Sequence, residues 1–385
     1  MQGGTPDVAI VGAGIGGLST AIALHRAGLR PHVFESANGL RASGGALILW
    51  CNALKALATL GLQDDVARTP TAQPVETSEF RRRNGEYLTS IPVGELGRRH
   101  QADTTVISRE DLLATLRARA EQATDIQFGS SVADVRHEVD AAVLIFEDGK
   151  QRRFDAVVGA DGIASKVRGA LGLDTSLRDT YQDLWVGTAP WGYGGLIPGN
   201  NVATIGDGLR FWHTLLGDGS VFWYAAVPTM GPSAPRTVRG LENIYARWHD
   251  PIPRILRATQ EHQAWRTPMR DRSPSLPWGN RRITLLGDSA HAMTPDLGQG
   301  ACQAIESAVV LAQCLGESDN VERGLRAYEQ RRFRRTSDVI RMSWLVAHSS
   351  SITSPTLGVV RDLGMRFGLR AAVMSQLDWL FAGPC

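Results

Sequence analysis

The chain has 385 residues, enough for two closely joined domains, with 43% of them hydrophobic and 21% charged. Its 41 basic and 39 acidic residues leave a formal net charge of +2, so no strong field favours nucleic acid or another polyanion. The four cysteines, Cys51, Cys302, Cys314 and Cys385, form no CxxC pair and no metal-ligand spacing, which predicts reduced, mostly buried thiols and no metal site.

Asp7 to Val11 reads as a buried strand, Leu18 to Ala27 as an apolar helix stopping at Gly28, and His32 to Glu35 as a second strand. This is the opening βαβ unit of a doubly wound sheet. The apolar stretch Val8 to Ala27 lacks a basic leader and carries Gly12, Gly14, Gly16 and Gly17, so a strand, turn and helix suit it better than a membrane span, and the expected location is cytoplasmic. Phe80 to Ile91 is a hairpin candidate. A helix is expected from Ser108 to Gln122, with Asp111 as capping-box partner and Leu112, Leu113 and Leu116 on one face. Strands follow at Val132–Glu138, Ala142–Phe146 and Ala156–Gly159.

Between Leu184 and Pro228 the pattern changes to short, aromatic-rich strands punctuated by glycine, which predicts an antiparallel sheet. Met230 to Pro235 reads as a loop, Val238 to Trp248 as a helix, and Arg282 to Leu286 as a buried returning strand. Helices are expected over 297–315, 322–349 and 356–381. The run Arg331-Arg332-Phe333-Arg334-Arg335 reads as a solvated helix face.

Gly12-Ala13-Gly14-Ile15-Gly16-Gly17 is a GxGxxG between strand and helix. Gly12 permits the turn, Gly14 admits a pyrophosphate to the backbone, and Gly17 lets helix pack on strand. Glu35, 18 residues beyond Gly17, stands where an acid binds ribose hydroxyls. The spacing predicts a dinucleotide and leaves NAD and FAD open. A second motif, Val157-Val158-Gly159-Ala160-Asp161-Gly162, runs into Ile163-Ala164-Ser165-Lys166-Val167-Arg168. A third, Leu285-Leu286-Gly287-Asp288, continues through His291 and Pro295 to Gly298-Gln299-Gly300-Ala301.

Together these segments resemble the DG and GD motifs of the PHBH-like (class A) single-component flavoprotein monooxygenases, over Asp7 to about Ser343. The resemblance implies FAD, with Asp161 near its pyrophosphate, Asp288 on its ribityl chain, and Gly298, Gly300 and Ala301 opening a helix toward the flavin ring beside Pro295. It also implies Arg109 as an arginine touching FAD. NADPH or NADH would be a transient co-substrate, and O2 would supply, through a flavin C4a-hydroperoxide, the oxygen atom transferred to a small organic molecule. Two departures stand out: Ser307, beside Glu306, where the family often has aspartate, and Trp50 where many relatives have proline.

The expected fold class is α/β. A Rossmann-type FAD-binding domain spans 1–75, 101–175 and 276–345, an inserted antiparallel substrate domain spans 76–100 and 176–275, and a C-terminal helical segment covers 346–385. No thioredoxin-like third domain is expected, and the assembly is expected to be a monomer or homodimer without nucleic-acid or clear membrane partners. Trp185, Trp191, Phe211, Trp212, Phe222, Trp223 and Tyr224 are candidate walls of an apolar pocket. Arg210 and Tyr224 are the candidate polar contacts for an apolar, aromatic or polyketide-like substrate. Arg210 stands twelve residues before Phe222, a spacing at which compact relatives resembling urate hydroxylases carry arginine and tyrosine. His291 is expected to order its loop, and His213 to lie on a strand surface. Flavin dehydrogenases or reductases, halogenases of the same fold and a non-catalytic flavoprotein are the alternatives; no Trp-x-Trp-x-Ile-Pro halogenase sequence is present.

Overall fold

The computed structural model describes residues 5–39, 45–230, 234–368 and 370–383. Its first layer is a five-stranded sheet ordered Ile283–Leu285, Ala156–Gly159, Asp7–Val11, Arg30–Phe34, Ile126–Gln127, with every adjacent pair parallel. The four residues Val8 to Val11 are all buried, as a strand covered on both faces requires. The helix Ile15–Arg26 begins three residues before the expected Leu18, because Gly14 already has the extended backbone of an N-cap. A three-stranded antiparallel sheet, Val132–His137, Ala142–Phe146 and Gln151–Phe154, follows in the chain.

The second large layer has seven strands ordered Ala264–Asp271, Arg178–Ala189, Val221–Pro228, Leu209–Leu215, Asn200–Gly206, Thr77–Arg82, Tyr87–Ile91. The early hairpin does join it, but Thr77–Arg82 runs parallel to Asn200–Gly206. The sheet is therefore mixed at that step rather than wholly antiparallel.

Alternation divides its aromatic residues between two faces. Phe211 and Trp223 stack with ring centroids 5.6 Å apart and join Trp185, Tyr245 and Trp248 in a separate core. Trp212, Phe222 and Tyr224 face the other way. His213 is buried, correcting its expected place on a strand surface, and burial with His249 and Arg81 nearby pushes its pKa down to about 3.

The chain beyond the Ile283–Leu285 strand is helical, as expected, with different breaks. Gly300–Gly316 is preceded by a 3-10 turn at Pro295–Leu297, and Val321–Ser350 is one continuous helix. The expected 356–381 helix is interrupted: Pro355–Leu363 passes into a π turn at Gly364–Gly368, then Arg370–Ala382. The helix expected to reach Trp248 ends at Tyr245. In the helix Arg109–Ala120, the Ser108 hydroxyl accepts from the Asp111 N–H, but the Asp111 carboxylate turns to Thr71 instead of closing the capping box.

The arginine run is a solvated face only in part: Arg331 and Arg334 are exposed, whereas Arg332 and Arg335 turn inward. Arg332 is fully buried, with its guanidinium 2.6 Å from Glu306, and Arg335 holds the same carboxylate at 2.9 Å. Asn52 and Gln303 also donate to Glu306, while Arg332 Nε donates to Ser307. The Glu306-Ser307 pair thus belongs to a buried helix-to-helix network. Cys51, Cys302 and Cys314 are free and buried; Cys385 and part of the 230–235 loop lie outside the described residues.

Candidate active site

A cavity of about 1280 Å³ runs between the parallel sheet, the inner face of the seven-stranded sheet and the C-terminal helices. One end is built from the glycine motif. Gly12 has φ +107°, and a Cβ there would lie 2.5 Å from the Ala160 carbonyl oxygen; at Gly17 it would lie 1.9 Å from that of Gly12. Both positions exclude side chains because backbone meets backbone. Gly14 differs: it lines the cavity, and no protein atom lies within 4 Å of its missing Cβ. Its open side faces an uncapped helix N-terminus, whose free N–H groups and dipole suit a phosphate.

Glu35 closes this turn from below, accepting the Ala13 N–H at 2.8 Å and the Ala37 N–H at 2.9 Å. Asp161 turns its carboxylate into its own loop, to the Ser165 hydroxyl at 2.6 Å and the Val167 N–H at 3.1 Å, while Ala160 and Gly162 line the cavity. The loop thus reaches the cavity through Ala160 and Gly162, while the observed contacts of the Asp161 carboxylate are internal.

Arg109 and Asp288 also line the cavity. Burial lowers the Arg109 pKa, and Asp288 opposes the change; burial raises the Asp288 pKa, and Arg109 opposes that. Asp288 is reached by solvent through the cavity, yet protein surrounds it, so the desolvating environment governs its charge. Arg109 Nε is buried without a hydrogen-bond partner among the described residues. Such a guanidinium is costly unless an anionic or hydrogen-bonding ligand meets it.

Beyond Asp288, Pro295, Gly298, Gly300 and Ala301 continue the lining. The 17-residue helix beginning at Gly300 has no side-chain cap and no acid in its first turn, leaving a positive terminus on the cavity. Trp50 donates its indole N–H to the Leu297 carbonyl at 3.0 Å. Its ring also packs 5.3 Å from Phe381, tying the loop to the last helix. His291 is buried 3.2 Å from the Ser307 hydroxyl and 5.4 Å from the Trp278 ring; burial with Arg332 nearby pushes its pKa down to about 3. These contacts match its expected loop-ordering role.

The central part is walled by Trp212, Phe222, Tyr224 and Trp265. Tyr224 lies on the same face as Phe222, as alternation predicts, and stacks on Trp212 at 5.6 Å and 10°. Its hydroxyl makes no hydrogen bond among the described residues; burial pushes the phenol up to about 12, with Arg210 opposing and Asp296 adding to the rise. Arg210 corrects the expectation of a cation offered to substrate. Its Nη1 is engaged by Asp296 and Ser350, and its Nη2 donates to Gln182 at 3.0 Å. Asp296, missed by sequence reasoning, lines the cavity and retains a buried Oδ2 without a partner among the described residues. Its place directly after Pro295 was the available signal.

A dinucleotide cradle, an unpartnered arginine, an aspartate and a positive helix terminus fit FAD along one cavity. The family described as "FAD binding domain" matches residues 5–192 and 225–343. The chain is 33% identical over 361 residues to an aurachin C monooxygenase/isomerase of Stigmatella aurantiaca, covering 93% of each chain. It is 30% identical over 337 residues to an FAD-dependent urate hydroxylase of Klebsiella pneumoniae, covering 86% of this chain and 87% of the hydroxylase. The crystal structure of Klebsiella pneumoniae HpxO complexed with FAD and uric acid superposes with a TM-score of 0.90 at 26% identity, over 100% of this chain and 98% of that one.

Proposed function

The chain belongs to the FAD-binding-domain family of class A flavoprotein monooxygenases, and from that premise we propose that it uses NAD(P)H and O2 to hydroxylate or epoxidise an apolar small molecule carrying a planar, polar-edged head. The observation that carries this reading is the continuity of one cavity from Arg109 and Asp288, past the Gly300 helix terminus, to Trp212, Tyr224 and Asp296. Flavin supplies the redox chemistry, taking a hydride from NAD(P)H and delivering one atom of O2 to the substrate.

The protein holds and orients the reactants. In this reading Gly14 and the Ile15–Arg26 helix N-terminus take the pyrophosphate, Glu35 presents its carboxylate edge to the ribose, and Asp288 and Arg109 bind the ribityl side. The Asp161 loop holds Ala160 and Gly162 against the cofactor. Gly298, Gly300 and Ala301 place N–H groups where charge develops on the ring, and Pro295 shapes the adjoining loop.

The substrate head lies between Trp212, Phe222 and Tyr224. An O–H or N–H on its edge donates to Asp296 Oδ2, which Arg210 holds in place. Tyr224 remains a neutral phenol near pH 7, able to donate to a substrate carbonyl. The seven-stranded sheet and its surrounding segments form the proposed substrate domain.

The test is a screen of phenols, quinolones and polyketide-like aromatics with the FAD-loaded protein. A true substrate accelerates NAD(P)H oxidation and O2 uptake above background and yields a product containing one additional oxygen atom. Substrate turnover without O2, or acceleration yielding only hydrogen peroxide across the screen, would overturn the assignment.

A further inference from the structure

The cavity continues past the proposed head site into a chamber bounded by Met342 and Val346 on the Val321–Ser350 helix, Val360 and Met365 around the π turn, and Met374 and Leu377 on the last helix. None of the six is aromatic or charged; Ser349, Arg361 and Gln376 are polar members of the same stretch of lining. The aromatic walls are concentrated instead at Trp212, Phe222 and Tyr224. Three unbranched methionines form an adaptable lining, better suited to a flexible chain than to a second rigid ring.

The chamber wall is fastened to both large parts of the fold. Arg82 of the seven-stranded sheet pairs with Asp362 at 2.7 Å, and Arg335 donates to the Leu380 carbonyl at 2.6 Å. Lys55 donates to the Phe381 carbonyl at 3.2 Å. These polar contacts fasten the wall beside the head site, two of them through the cavity-lining residues Leu380 and Arg361, the latter pairing with Asp362 at 2.8 Å.

Resting on the monooxygenase reading for the head, we infer that the substrate is an amphiphile: its planar head reaches Asp296 and Tyr224, and an aliphatic chain extends against Met342, Met365, Met374 and Leu377. Chain burial supplies affinity without touching the reacting edge. Each methylene buried is worth ~0.8 kcal/mol, about fourfold in Kd.

The experiment measures calorimetric Kd values of the FAD-loaded protein for 4-alkylphenols from ethyl to octyl, and for alkan-1-ols of the same lengths. Kd is expected to fall about fourfold per methylene in both series until the chamber is filled. Met374→Trp and, independently, Val346→Trp should flatten this dependence while leaving 4-ethylphenol affinity and FAD content unchanged. A flat wild-type series, or equal chain-length steps in wild type and in a folded variant, overturns the inference. Phenols that bind with the predicted steps but never stimulate NAD(P)H oxidation would count against the phenolic head. Alkanol steps abolished by either variant would still support the chain chamber.

Discussion

Arg210 engages one carboxylate oxygen of Asp296 and leaves the other, Oδ2, buried with no hydrogen-bond partner among the described residues. In the proposed site Arg210 positions Asp296, and the unpartnered Oδ2 is the oxygen left for a substrate donor, the reverse of the roles expected from the arginine's sequence position. Asp296→Ala would strand a buried guanidinium and is expected to cost about 3–5 kcal/mol of stability. Replacing both, Arg210→Met with Asp296→Leu, should recover most of that loss and preserve FAD content. Substrate-stimulated NAD(P)H oxidation should stay low in the double variant, with more hydrogen peroxide per NAD(P)H. Chemical denaturation alongside oxygen-transfer assays separates the two effects; a double variant with normal coupling would remove Asp296 from the substrate site.

Glu306 provides a second test of pairing. Burial acts to raise its carboxyl pKa, but Arg332, Arg335 and Asn52 outweigh it and hold the group below its ordinary range. The corresponding stability is present above the unfolded carboxyl pKa and is lost as pH falls through the lower folded one. Arg332→Ala should destabilise the protein by about 3–5 kcal/mol near neutral pH, because Glu306 then lacks its fully buried partner. The difference from wild type should shrink in acid as Glu306 becomes protonated. Parallel denaturation curves near pH 7 and below pH 4 check the sign.

His213 makes the opposite choice, remaining neutral in the fold. With its folded pKa lowered to about 3, the unfolded chain takes up the extra proton once pH drops below about 6.5. Stability from this group is therefore complete above that pH and declines below it, by up to about 1.4 kcal/mol per pH unit, until the folded group titrates. His213→Phe should make stability fall less steeply between pH 6 and 4. An unchanged slope would show that His213 is protonated in the folded protein.

The comparison between sequence and structure follows the range of the interactions. Asp7–Val11, Ala142–Phe146 and Ala156–Gly159 were readable because local apolar runs and glycine turns specify strands. Arg332 was misleading because its partner Glu306 comes from another helix, 26 residues earlier. Helical spacing to Thr336, Val339, Ile340 and Ser343, all buried, was the local clue to its inward face. Arg210 and Asp296 are 86 residues apart, so neither element alone encodes their contact. The aromatic alternation was legible, but the covering elements decide which face becomes core and which becomes cavity.

Asp288 should matter through cofactor affinity more than through packing, since its carboxylate faces the cavity near Arg109. Asp288→Ala is expected to weaken FAD by roughly 1.5–3 kcal/mol, the range for a hydrogen bond to a charged group. The apo melting temperature should change little. Fluorescence titration with FAD provides the measurement, and an unchanged dissociation constant would exclude the ribityl-binding role.

Two substitutions within the first motif should fail in different ways. At Gly17 a side chain would place Cβ only 1.9 Å from the Gly12 carbonyl oxygen, so Gly17→Val must push helix from strand before any ligand is considered. Gly14 meets no protein atom within 4 Å, and its backbone is extended with φ −74°. Gly14→Val can therefore be accommodated by the apo fold, while its branched side chain occupies the approach proposed for the pyrophosphate. The expected outcome is a Gly14→Val protein that melts close to apo wild type but retains little FAD, and a Gly17→Val protein with reduced apo stability. Thermal melts of apoprotein paired with FAD titrations distinguish steric failure of the fold from steric exclusion of the cofactor. Full FAD occupancy in folded Gly14→Val would sink the placement of the pyrophosphate at this turn.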